Sequence, residues 1–254
     1  VPGKWLGLAL ALFAVAFALL QKPISRWMPR PTLFTGIAAT IAAAVFAMLQ
    51  TWVWGEYLQS SLTFLLIGGF YLAAARFTPY PWLAHVGIYV AAAGWLVGLE
   101  FFKVPHAARP LLTFLPAAGT LMLGVRRRTL HLSLAALTVI LGSLAFVYAD
   151  GAMYENVNLP ITIATSVAAA ALTAWLAFAR PETPGVDVSL MSGLMGLFAS
   201  GAYVLWLKMM STGSPWGGLV IFAMAAGLGI AAELLRRAGL VRQGWPLVLV
   251  SMIV

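Results

Sequence analysis

VRRRTLHLSLAALTVILGSLAFVYAD, residues 125–150, decides the fold: three consecutive arginines, an uncharged run from Leu132 to Ala149, then an aspartate. A hydrocarbon core of about 30 Å is crossed by about 20 apolar residues at about 1.5 Å rise each, and this run has that length. It is continuous and rich in Ala and Leu, without the alternating polarity of a barrel strand, so the expected element is a transmembrane helix.

The same pattern repeats along the chain. Apolar runs place spans near residues 5–20, 32–54, 58–76, 82–101, 110–125, 129–149, 159–179, 188–207 and 215–235, followed by a shorter segment at 244–254. The sequence therefore predicts an all-α polytopic transmembrane bundle of nine full spans plus a tenth, short or truncated one whose eleven residues are too few to cross unaided. Breakers punctuate the gaps, among them Pro29, Pro31, Thr78 to Pro81, Pro105, Pro110 and 181–185. With connections this short, residues 1–254 are expected to form a single integral membrane domain. The composition agrees: 62% hydrophobic and 9% charged residues leave too little polar surface to cover a water-soluble globule.

Charge assigns the sides. Gaps after odd-numbered spans carry Lys22, Arg26, Arg30, Arg76, Arg126, Arg127, Arg128, Arg180, Arg236, Arg237 and Arg242, eleven of the fifteen basic residues. The N-terminal tail and the even gaps carry only Lys4, Lys103, Arg109 and Lys208. By the positive-inside rule the odd gaps are cytoplasmic and the N-terminus lies outside. The net charge of +8 is explained by that rule and calls for no nucleic acid. Tryptophans mark the span ends independently: Trp5, Trp52, Trp54, Trp206 and Trp216 at outer ends, Trp27, Trp82, Trp175 and Trp245 at inner ones, with Trp95 deeper. Lys22, Arg26 and Arg30 follow the first run, which argues against a cleaved secretory signal. The expected setting is the cytoplasmic membrane of a prokaryote.

Chemistry-bearing residues are few. The chain has no cysteine, which excludes disulfides, thiolate metal sites and cysteine nucleophiles. His85, His106 and His131 stand on separate segments and form no helical ligand pair, so neither metal nor cofactor is expected. Glu233 with Arg236 and Arg237 has the spacing of a local helical ion pair. Glu56, Glu100, Asp150 and Glu155 map to the outer side, with Gln50 deeper on the second span and Lys208 on the eighth. Glu100, between Leu99 and Phe101, is the foremost candidate; its carboxylate is expected to be partly desolvated unless Lys103 reaches it. The interior holds hydroxyls and glycines rather than charge, and sets such as Ser192, Gly196 and Ser200, or Gly218, Phe222 and Ala226, read as packing faces. Pro116, in a short fifth span with Gly119, predicts a kink or a break between Leu112 and Gly119 that faces other helices rather than lipid.

The candidate binding residues are thus Glu100, Asp150, Glu56, Gln50, Lys208 and Pro116, with no catalytic set. Three readings follow. A small-solute transporter or channel would use the outer carboxylates to attract a cation or amine and the broken fifth helix to pass it. A non-catalytic membrane subunit would anchor or scaffold a larger complex, and its partners would be the lipid bilayer and other membrane proteins or further copies of the chain. An outer-leaflet enzyme on a lipid-linked substrate would need Glu100 or Asp150 as general base; no motif supports it, and the balance is against an enzyme. The topology is testable: a cysteine at Ser25 should resist an impermeant thiol reagent in intact cells while one at Asn156 reacts, and the reverse pattern would overturn the outside N-terminus.

Overall fold

In the computed structural model the described residues are 5–24, 31–153, 159–180, 186–210 and 217–253, and they form ten α-helices and no strand. These are α1 (Leu6–Ile24), α2 (Pro31–Trp52), α3 (Tyr57–Phe77), α4 (Leu83–Phe101), α5 (Arg109–Arg126), α6 (Leu130–Met153), α7 (Leu159–Ala174), α8 (Val188–Met210), α9 (Gly217–Arg237) and α10 (Val241–Ile253). A 3-10 turn at His106–Ala108 leads into α5, and α7 continues as a π-helical turn at Trp175–Ala179. Among the described residues five segments are long and apolar enough to cross a membrane: Thr35–Trp52, Tyr57–Phe77, Leu83–Phe101, Leu159–Ala179 and Val188–Met210. Apolar helices of this length suit a membrane-embedded protein.

The chain divides into two compact units, one of Val1–Arg109 with Leu134–Val139 and the other of Pro110–Ser133 with Ile140–Val254. In the first, α3 packs on α1, α2 and α4. The α3–α4 seam runs along Gly87, Ala91, Gly94 and Gly98 of α4, small residues spaced four, three and four apart on one helix face. A Cβ built on Gly94 would lie 2.8 Å from the Phe64 Cβ and 3.0 Å from the Leu65 nitrogen and the Ser61 carbonyl oxygen. One on Gly68 would lie 2.8 Å from the Gly87 carbonyl oxygen. The two backbones therefore touch, and the Ser61 hydroxyl donates to the Gly94 carbonyl at 2.8 Å. Between hydrocarbon-facing helices there is little hydrophobic gain from association, so close packing and such hydrogen bonds hold the pair.

In the second unit α8 packs on α7 and α10, and α10 on α9. Gly196 makes room for Leu247 and Val250, Gly193 for Pro246, and Gly244 sits against the Ala232 carbonyl. The Ser192 hydroxyl donates to the Gln243 carbonyl at 2.5 Å, in the turn of α10 that Pro246 weakens. Ser192 and Gly196 are thus packing residues, as their spacing suggests. Gly218 has open space around it and Phe222 is 73% exposed, so the second small-residue set is turned outward instead. The last helix starts at Val241, three residues before the expected Gly244, because the turn before it is tight.

That turn belongs to a recurring device. Leu240 donates to the Leu235 carbonyl and Gly239, at φ +81°, to that of Arg236, which is a Schellman cap on α9. The same pair of bonds ends α4, with Lys103 at φ 54°, and α5, with Arg128 at φ 54°. A side chain in this left-handed conformation costs about 1–2 kcal/mol relative to glycine. The start of α8 is capped differently: the Asp187 carboxylate accepts from the Leu190 N–H at 3.0 Å, and that bond holds its pKa below the usual carboxylate value.

The α3–α4 seam leads to a direct expectation. Gly94→Ala should destabilise the detergent-solubilised protein by about 1–3 kcal/mol, because the added methyl meets backbone atoms that cannot yield. Gly119→Ala, which meets nothing within 4 Å, should be neutral or stabilise by up to about 1 kcal/mol through helix propensity. Equilibrium unfolding of both variants checks the contrast; equal effects would refute the backbone contact.

Candidate functional site

At the end of α4 the chain turns through Phe102 to Pro105 and re-enters helix at Arg109. The left-handed Lys103 makes that reversal and turns its own side chain into an exposed position. The residue that reaches Glu100 is Arg109: its guanidinium lies 2.5 Å from the Glu100 carboxylate, and its Nε donates to the Val104 carbonyl at 3.0 Å. Arg109 therefore clasps both ends of the loop, with its side chain 15% exposed against 39% for Glu100. The expected partner, Lys103 at i+3, is displaced by a residue nine positions on. Distance along the chain concealed it; the available signal was the pair Pro105 and Pro110, which folds the intervening loop back on itself.

The other candidate residues are dispersed. Glu56 precedes α3 as its N-cap residue, after a turn in which Gly55 takes φ +65° and the Glu56 N–H donates to the Gln50 carbonyl. Gln50 is fully buried in α2, where a Cβ on Gly7 of α1 would come 3.2 Å from its Oε1 and 3.6 Å from the Thr63 hydroxyl of α3. It is therefore part of a three-helix junction. Lys208 is exposed in the last turn of α8. Asp150 falls in α6, but its side chain, like Glu155 altogether, lies outside the described residues.

Pro116 is where the structure departs most from expectation. Helix α5 is continuous from Arg109 to Arg126 with the proline inside it. Its buried face is Pro110, Thr113, Phe114, Ala117, Leu121, Gly124 and Val125, while Pro116 and Gly119 are exposed. The four-and-three spacing of bulky and small apolar residues puts the proline on the opposite side, so it faces outward rather than toward other helices.

Most hydroxyls in the described interior are tied to carbonyls. Thr63 donates to Gln59, Thr165 to Ile161, Ser166 to Thr162 and Thr173 to Ala169, each a turn back on its own helix. Ser60 of α3 reaches the Ala47 carbonyl of α2, and Thr40 of α2 meets the Tyr71 hydroxyl of α3 at 3.0 Å. Buried Ser200 Oγ has no hydrogen-bond partner among the described residues. Glu233 is held by Arg236 through two bonds of 2.7 and 2.8 Å and by Arg237 at 2.9 Å, the local helical ion pair that the spacing suggests. Comparison with protein-family models, curated proteins and solved structures finds no match.

The Arg109 clasp is measurable. In a double-mutant cycle with Glu100→Gln and Arg109→Gln, the coupling energy should be about 0.2–1 kcal/mol, because the carboxylate is partly exposed. Arg109→Gln alone should lose more stability than Glu100→Gln, since it also leaves the Val104 carbonyl. Thermal unfolding in detergent gives both quantities; no coupling and no such asymmetry would refute the clasp.

Proposed function

We propose that this chain is a non-catalytic integral membrane subunit that anchors or scaffolds a larger assembly. In this reading residues 1–254 form one membrane domain of nine spans with α10 as the short tenth, the N-terminus outside, in the cytoplasmic membrane of a prokaryote. The observation that carries it is the closed packing inside each unit: backbone meets backbone at Gly68, Gly87, Gly94 and Gly244, and most interior hydroxyls are bonded to carbonyls. Such seams build a rigid body rather than a polar path. Outward, α9 presents Leu219, Phe222, Ile230 and Leu234, each more than half exposed. This face suits lipid or a neighbouring transmembrane helix.

The transport reading loses two supports. It draws on an acidic vestibule, yet Glu100 is compensated by Arg109. It also draws on a broken fifth helix facing protein, yet α5 is continuous and Pro116 is exposed. The protein purified in mild detergent should run on native gels with a second polypeptide in fixed ratio, and proteoliposomes of the chain alone should leak cations or amines no faster than empty vesicles. Pro116→Ala should alter stability or partner retention only. Solute flux above the empty-vesicle rate that Glu100→Gln or Pro116→Ala changes would overturn the subunit reading in favour of transport.

A further inference from the structure

The three arginines between α5 and α6 serve neither the packing nor the assembly reading. Arg126 ends α5, Arg127 and Arg128 form the turn, and all three are exposed. Among the described residues none of them pairs with a carboxylate, whereas Arg109 is held by Glu100, and Arg236 and Arg237 by Glu233.

The turn that carries them is fixed. Arg128 donates to the Val125 carbonyl and Thr129 to that of Gly124, and a Cβ on Gly124 would lie 2.6 Å from the Ser133 hydroxyl, so α5 and α6 meet directly behind the arginines. Arg128 takes a left-handed conformation that glycine would adopt more readily, so the turn itself does not call for arginine. The turn lies between the C-terminal end of α5 and the N-terminal end of α6, whose dipoles oppose one another, so the arginines themselves supply its charge. Guanidinium groups bind phosphate oxygens through paired N–H donors. Directly beside them in sequence Met122, Leu123 and Leu130 are 49%, 43% and 38% exposed. A free phosphate would use the arginines alone; an anionic phospholipid would use the apolar flank as well.

We propose that the Arg126–Arg128 turn binds the headgroup phosphate of an anionic phospholipid whose acyl chains lie along the exposed apolar residues that flank it. The site rests on the membrane reading of the chain, not on the assembly reading and not on which side the turn faces.

The test places the intact protein in nanodiscs of phosphatidylcholine, with and without phosphatidylglycerol. Wild type should retain phosphatidylglycerol in native mass spectra and unfold at a higher temperature in its presence. Substitution to R126Q/R127Q/R128G should weaken retention roughly fivefold per arginine, the equivalent of about 1 kcal/mol for each basic residue at an anionic surface. Arg128→Gly alone keeps the turn and should weaken retention by one such step, which covers the case in which the triple variant fails to fold. Arg236→Gln with Arg237→Gln should change nothing. Undiminished retention in Arg128→Gly and the triple variant would overturn the proposal, and so would an equal thermal shift from inorganic phosphate, which would make the site one for free anions. Failure of wild type to enter nanodiscs would instead refute the membrane reading, and this site with it.

Discussion

Apolar helices of this length suit a hydrocarbon environment, which offers no hydrogen bonds, and the seams described here meet that constraint. Backbone polar groups are closed within helices, and the groups left over at helix ends or beside prolines have to be met by another part of the chain. Because lipid tails are as apolar as leucine, helices gain little from burying leucine against one another. What draws α3 to α4 is proximity: glycines at 68, 87, 94 and 98 remove the side chains that would hold the backbones apart, and the Ser61 hydroxyl then reaches a carbonyl across the seam. The α8–α10 contact repeats the arrangement with Gly193, Gly196 and Ser192.

Helix positions were legible because a span needs a long uncharged run, a property that a window of the sequence carries by itself. Observed helices start and end within a few residues of those runs; α1 and α6 each run four residues past theirs, and α10 starts three residues early, directly after the left-handed Gly239 that ends α9. Facing is harder to read. In a water-soluble helix charged side chains identify the exposed face, but residues 110–125 of α5 and 217–232 of α9 carry no charge, so no charged side chain marks which side packs. That is why Pro116 and Phe222 turned out to be exposed while Gly196 is covered. The heptad of small residues along α4 was available as a pattern, Gly87 to Gly94 and Ala91 to Gly98, and it marks a seam where backbone meets backbone.

The candidate site shows the same division. Residue types could be read from the sequence, and so could the local ion pair of Glu233 with Arg236 and Arg237; the partner of Glu100 could not, since Arg109 is brought to it by a loop whose path depends on Lys103 adopting a left-handed conformation. A charge that pairs locally serves architecture, and a charge that finds no partner is available for something outside the chain. By that criterion the carboxylates at positions 100 and 233 belong to the fold, while the arginines at 126–128 look outward.

The bond from Ser192 to Gln243 ties together two helices that are far apart in sequence. Pro246 lacks the N–H that would meet the Arg242 carbonyl, so the opening turn of α10 has one bond fewer of its own. Helix α8 supplies a replacement from outside: the Ser192 hydroxyl reaches the Gln243 carbonyl, and Gly193 and Gly196 leave the groove in which Pro246, Leu247 and Val250 lie. The weakest turn of α10 is thereby latched onto α8, and a change at Ser192 would be felt first there, in a helix about fifty residues away in sequence.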